Sequence, residues 1–177
     1  MRLLRFPLLA CALGAATLAF AADPNPFTAL KSPFPPAPEI LAAPDADAAW
    51  KPIPAMASME GLMAAIVGKK TQEERMTAMR LHMVKVLSAG TTFMQRYPDD
   101  PRRWRAVQTM VSAAHDLANA DGTPKEKLEG VSWDPAVYVA WRKHLDELAA
   151  AAEQASDAQP EVKFRTEMMQ PRTSREI

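Results

Sequence analysis

The middle of the chain reads Tyr97-Pro98-Asp99-Asp100-Pro101-Arg102-Arg103-Trp104, and this stretch separates two helices. Pro98 ends the first helix, because its ring fixes φ and removes the backbone N–H donor. Asp99 or Asp100 can then cap the next helix, and Pro101 takes its first position, where a missing donor costs nothing. The sequence therefore predicts a tight corner, at which Trp104 packs back against Phe93 and Tyr97.

The residues before the corner predict a helix over 71–97. Thr71-Gln72-Glu73-Glu74 is a capping box, in which the Thr71 side chain accepts a helical N–H and Glu74 reaches back to the N-cap. Apolar residues then recur at steps of three and four: Met76, Met79, Met83, Val86 or Leu87, Gly90, and Phe93 or Met94. A shorter helix is predicted over 58–68, with one apolar face: Met59, Leu62, Met63 and Ile66.

The residues after the corner predict two more helical segments. The first carries an apolar stripe and ends before the turn 121–124: Trp104, Val107, Val111, Ala114, and Leu117 or Ala118. A brief helical turn is predicted over 125–129. Asp134-Pro135 repeats the pattern of cap and proline, and another stripe follows: Val137, Trp141, Leu145, Leu148 and Ala152.

No segment alternates polar and apolar residues for long enough to form a strand, so the predicted fold is all-α. We expect three to four antiparallel helices in a domain over 58–156. If Pro98 closes a tetratricopeptide unit, Trp104 and Val107 take that repeat's tryptophan and leucine positions, whereas Gln108 and Pro124 do not fit. The match covers one junction and predicts a helical hairpin with a tetratricopeptide-like corner.

Residues 22–57 are rich in proline and alanine, which predicts an extended tether with neither a helix nor a central strand. Apolar side chains would hold this tether on the domain: Phe27, Phe34, Ile40, Leu41 and Trp50. Residues 157–177 are interpreted as a polar tail, which could be the start of a further domain.

Residues 1–21 have the features of a secretory signal. Arg2 and Arg5 precede an apolar stretch over 6–20, and Ala19-Phe20-Ala21 is a small-x-small cleavage site. The alternative is a retained anchor, but a span needs about 20 strongly apolar residues, and a proline and a glycine interrupt this stretch. We expect a mature protein that begins at Ala22, has no membrane span and resides in the periplasm or outside the cell.

The single cysteine, Cys11, lies inside the predicted signal. It is interpreted as apolar filler, with a lipid-attachment site at Leu8-Leu9-Ala10-Cys11 as the alternative. In the first case the mature chain has no thiol, and therefore neither a disulfide nor thiol redox chemistry of its own. It would carry 19 basic residues (21 less Arg2 and Arg5) against 21 acidic ones. That balance gives no basic field for nucleic acid.

The corner also holds the densest group of basic and aromatic residues: Arg96, Arg102, Arg103 and Arg105 around Trp104. One interpretation is a site for an anion or an acidic partner. The favoured interpretation is that these arginines pair with Asp99 and Asp100 on a solvated face, because basic residues in a first helical turn oppose the helix dipole.

Two metal sites are conceivable. His82, His115 and His144 lie on three predicted helices, but they lack the paired spacing of a metal motif. Met76, Met79, His82 and Met83 could bind cuprous copper through thioether and imidazole ligands. The same spacing is what a helix core needs, so the methionines are interpreted as core residues, no metal is expected, and only weak cuprous binding is predicted.

No nucleophile motif or phosphate-binding loop is present in the sequence, so we expect that the protein is not an enzyme and takes no cofactor. The stretch 93–104, behind a signal and a proline-rich lead, resembles the N-terminal helical region of exported thioredoxin-like (redoxin) proteins. Because the Cys-x-x-Cys of the redox domain is absent, the resemblance carries over no catalytic residue. It implies an accessory interaction domain of the cell envelope, with a protein partner that supplies the thiol chemistry.

Overall fold

The computed structural model describes residues 25–117 and 134–160, and these residues form α-helices without any strand. The all-α prediction is confirmed. The helices are α1 (Pro38–Leu41), α2 (Ala46–Trp50), α3 (Pro52–Met56), α4 (Met59–Ile66), α5 (Gln72–Arg96), α6 (Arg103–Leu117) and α7 (Pro135–Gln154). The predicted signal with Cys11, the turn 121–124, the helical turn 125–129 and most of the tail lie outside the described residues.

Helix α5 begins at the predicted capping box. The Glu74 N–H donates to Oγ1 of Thr71 at 3.1 Å, and the Thr71 N–H donates to Oε2 of Glu74 at 3.1 Å. The two bonds satisfy donors that the first turn of a helix leaves unpaired. After 25 residues the helix ends at Arg96, just before Pro98, as the sequence predicts.

The second half of α5 forms the centre of the domain. From Val84 to Met94 every residue except Lys85 is buried, so this half is covered on all sides rather than along one stripe. Helix α6 packs closely along one side, because Gly90 lets the buried side chain of Met110 approach the α5 backbone. The N-terminal segment covers another side.

The expectation that residues 22–57 contain no helix is wrong. Two of the three short helices in this segment begin at a proline, Pro38 and Pro52, because proline is tolerated in the first turn of a helix. The segment belongs to the core of the domain, to which it contributes mainly apolar side chains: Phe27, Leu30, Phe34, Ile40, Ala49 and Ile53. Of the predicted contact residues, Leu41 is exposed and Trp50 is partly buried against Phe93.

Hydrogen bonds from α5 hold this segment in place. Oγ1 of Thr92 accepts the Ala37 N–H at 2.9 Å, and Nε2 of Gln95 donates to the carbonyl of Leu30 at 2.6 Å. Arg96 donates to the carbonyls of Ile40 and Leu41. One turn of α5 therefore satisfies backbone groups in a segment that is more than 50 positions away in sequence.

Helices α6 and α7 bury faces that are slightly rotated from the predicted stripes. On α6, Met110 is fully buried, and the predicted Val111 is only partly buried. On α7, Tyr138 is buried in place of the predicted Val137, which is 38% exposed. The reason on α7 is the aromatic ring of Phe34, which packs edge-on against Tyr138 and Trp141.

Helix α4 begins after Ser58, whose Oγ accepts the Gly61 N–H at 3.0 Å. It has no buried residue. Met59 and Met63, which were predicted to face the core, are 72% and 53% exposed. The core interpretation is therefore wrong for these two methionines, which leave most of their surface open to solvent.

Candidate functional site

Trp104 is buried at the corner, but its neighbours differ from the prediction. Its ring packs edge-on against Phe27, with 5.0 Å between ring centroids, and its Nε1 donates to Oδ1 of Asp157 at 2.9 Å. Phe93 and Tyr97, the predicted partners, contact each other at 5.4 Å. Sequence reasoning missed Phe27 and Asp157 because both contacts join residues that are far apart in the chain.

Asp100 is the aspartate that organises the corner. Its Oδ1 accepts the Arg102 N–H at 2.9 Å, and both its oxygens accept from the Arg102 guanidinium, at 2.8 and 2.7 Å. These hydrogen bonds hold the pKa of Asp100 below its usual value. Helix α6 begins at Arg103, so Pro101 precedes the helix instead of occupying its first position, and Asp99 is exposed.

Arg96, Arg102 and Arg103 bind acidic or carbonyl groups of the chain itself, whereas Arg105 is exposed. Arg102 also reaches Asp47 at 2.7 Å, and Arg103 contacts Asp157 at 2.6 Å. The Arg103 guanidinium lies over the rings of Phe27 and Trp104, and its side chain is only 14% exposed. These contacts leave little of Arg102 or Arg103 to bind an external anion.

The three histidines lie in different surroundings. Nε2 of His82 lies 2.7 Å from the Met56 carbonyl, and Nε2 of His144 lies 2.9 Å from the Pro26 carbonyl. His115 is exposed on α6. Among residues 25–117 and 134–160, no three His, Cys, Asp or Glu side chains lie close enough together to hold a metal ion.

A cavity of about 140 Å³ lies where the end of α3 and the start of α4 meet α5 and α6. Its wall includes three thioethers and one imidazole: Met56, Met59, Met83 and His82. Of the copper-ligand set predicted from sequence, Met76 and Met79 do not line this cavity. Met56, Met59 and Met63 have the same spacing in the sequence as Met76, Met79 and Met83, but only the packing of α4 on α5 shows which of these methionines meet.

The second feature is an exposed apolar surface formed by α4 and the residue that follows it, here called the α4 face: Met59, Met63 and Val67. These residues follow each other at four-residue steps and are 72%, 53% and 76% exposed. They are half of the large apolar residues that the described part of the chain exposes, the others being Leu41, Val137 and Val139.

None of the helices in the described ranges has the length and apolar character that a membrane span requires. Comparisons of the chain with protein-family models, with curated proteins and with solved structures give no match.

Proposed function

We propose that this chain is an exported, non-enzymatic interaction module of the bacterial cell envelope that binds a partner protein through the α4 face. The observation that carries this proposal is the exposure of Met59, Met63 and Val67 on a domain that otherwise buries most of its large apolar side chains. When a partner covers apolar side chains that lie together on one surface, their removal from water stabilises the complex.

The chemistry of the α4 face suits a protein partner. Methionine is unbranched and polarisable, so it adapts to apolar surfaces of different shape. Helix α4 also has no buried residue of its own, although it packs on α5. A partner that covers Met59 and Met63 would complete the burial that an amphipathic helix normally has.

Two features of the sequence support the remaining parts of the proposal. The charged, apolar and small-residue regions of 1–21 support export. The resemblance of 93–104 to the helical region of thioredoxin-like proteins supports an accessory role beside a redox domain. Because the chain without residues 1–21 would have no cysteine, the partner would supply the reactive thiols.

Site-specific photo-crosslinking in the cells that naturally produce the protein tests this proposal. Benzoylphenylalanine at position 63 or 67 should give one discrete adduct with an envelope protein after irradiation. The same group in place of Val139, which is 43% exposed on α7, is the matched control and should not give this adduct. Absence of an adduct at 63 and 67, or equal adducts at all three positions, would contradict the proposal.

A further inference from the structure

We propose that the cavity between the α3–α4 junction and α5 binds one cuprous ion through the thioethers of Met56, Met59 and Met83 and the imidazole of His82. All four residues line the cavity. They come from three helices, so the site exists only in the folded protein. The site shares Met59 with the α4 face, but copper binding by the isolated chain does not require the partner protein proposed above.

The α3–α4 junction is held firmly against α5. The Met56 carbonyl lies within hydrogen-bonding distance of His82 on α5. Gly61 lets the first turn of α4 lie directly on the end of α3, since a Cβ at this position would lie 2.8 Å from the Met56 carbonyl oxygen and still nearer to that of Ala55. This close packing of α4 on the end of α3 brings the candidate ligands Met56 and Met59 into the wall of the cavity that Met83 also lines.

The hydrogen bond of His82 fixes which ring nitrogen can bind a metal. A carbonyl oxygen only accepts hydrogen bonds, so Nε2 carries the proton and donates to Met56 across 2.7 Å. In the neutral imidazole, Nδ1 then keeps its lone pair. A histidine that ligates a metal commonly donates its other N–H to a backbone carbonyl, which orients the ring.

The donor set favours cuprous copper over other ions. Thioethers are soft ligands that select Cu(I), and imidazole binds copper as well. Among the described residues no carboxylate or thiol lines the cavity, so the carboxylates that calcium and magnesium prefer and the thiolates of most structural zinc sites are missing from this wall. The described part of the wall also carries no charged side chain, and a monovalent ion loses less hydration energy than a divalent one in such surroundings.

The size and opening of the cavity agree with an ion as its ligand. Its volume of about 140 Å³ is below the roughly 300–1,000 Å³ of typical small-molecule sites. The Met59 side chain is both part of the cavity wall and 72% exposed. It therefore offers a sulfur ligand at the surface, through which a cuprous ion can enter or leave by ligand exchange.

An anaerobic titration of cuprous ion against the chelator bicinchoninate tests the proposal. The full chain should carry Cys11→Ser, so that its only thiol cannot bind the metal. We expect one ion to be taken from the chelator per chain, and sulfur and nitrogen scatterers in the copper X-ray absorption spectrum. Met59→Leu and Met83→Leu should each weaken binding by about tenfold or more, with unchanged circular dichroism.

Two substitutions serve as matched controls. Met63→Leu changes an exposed methionine one turn along α4 from Met59, and Met79→Leu changes a methionine of α5 outside the cavity. Both should bind copper as the parent chain does. The proposal fails if the chelator retains all of the copper, or if either control loses as much affinity as Met83→Leu.

Discussion

The indole N–H of Trp104, in the first turn of α6, donates a 2.9 Å hydrogen bond to Asp157, which lies just beyond the end of α7. The Asp157 carboxylate also forms a salt bridge with Arg103, and the Trp104 ring packs against Phe27 of the N-terminal segment. Three parts of the chain that are far apart in sequence therefore meet at one tryptophan.

Trp104→Ala should be among the most destabilising changes at the corner. Truncation of a buried aromatic ring typically costs about 3–5 kcal/mol, out of roughly 5–15 kcal/mol for a whole domain. Trp104→Phe is the control, because it keeps an aromatic ring near Phe27. It loses the Asp157 bond, at about 1 kcal/mol, and part of the indole volume, so it should cost less than Trp104→Ala. Urea denaturation measures both. An unchanged midpoint for Trp104→Ala would mean that the tryptophan is not buried in solution.

Arg102→Ala should destabilise the domain by about 1 kcal/mol. The bidentate pair with Asp100 is a strong, charge-assisted geometry. The contribution of these ion pairs to the free energy of unfolding is reduced by solvent screening, because the Arg102 side chain is 25% exposed and its second partner, Asp47, is 88% exposed. Arg102→Lys should recover only part of the loss, and Asp99→Ala should leave the urea midpoint unchanged. Equal midpoints for Arg102→Ala and the parent would contradict this.

Thr92→Val should destabilise the domain by about 1–3 kcal/mol, because it leaves the buried N–H of Ala37 without an acceptor. The substitution keeps the shape of the side chain and removes only its hydroxyl. Thr92→Ser retains the oxygen and should therefore lie closer to the parent in a urea titration. If Val and Ser have the same effect, the contact between Thr92 and the N-terminal segment contributes nothing to stability.

The sequence predicted the local features and missed those that depend on distant residues. The capping box at Thr71 and Glu74 fixes the start of α5 through bonds within one turn, and Asp134 caps α7 in the same way. The helices of 38–56 were missed because a high proline content hides the prolines that start helices. The Ala37–Thr92 bond spans 55 positions, so no local pattern could reveal it.

The candidate site shows the same division. The spacing of the methionines placed Met83 beside His82 on one helix, which the structure retains. The packing of α4 on α5 decides which other methionines line the same cavity as His82 and Met83. This packing leaves Met76 and Met79 outside the cavity and places Met56 and Met59 in its wall.

The stability of the domain should fall in acid as the carboxylates of Asp100 and Asp157 become protonated. Hydrogen bonds from Arg102 lower the pKa of Asp100, and the bond from Trp104 lowers the pKa of Asp157, both relative to 3.8. The folded state therefore binds these protons more weakly than the unfolded state does. The stabilisation is present above about pH 4 and is lost as the pH falls through the folded pKa values.

Urea titrations between pH 7 and pH 2 measure this dependence. Asp100→Asn and Asp157→Asn should each lower stability at pH 7 and flatten its fall in acid. Asp146→Asn is the control, because that carboxylate pairs with Arg142 on the exposed side of α7. If both corner variants keep the acid slope of the parent, the two aspartates are not the groups responsible.

Gly90→Ala should destabilise the protein, although alanine is the better helix former by about 1 kcal/mol. A Cβ at this position would lie 2.7 Å from Cγ and 2.8 Å from Sδ of Met110, closer than such atoms can approach. Met110 is fully buried and its sulfur accepts from Thr91, so it has little room to move. Overpacking of this kind costs about 1–3 kcal/mol, which exceeds the gain in helix propensity.

The double substitution tests this explanation. Met110→Ala alone should cost about 2–5 kcal/mol through the cavity it leaves, but it also removes both atoms that Gly90 accommodates. In that background Gly90→Ala should become stabilising, because only the gain in helix propensity remains. Urea midpoints of the parent, the two single variants and the double variant give the coupling energy directly. If Gly90→Ala is destabilising in both backgrounds, its effect does not come from contact with Met110.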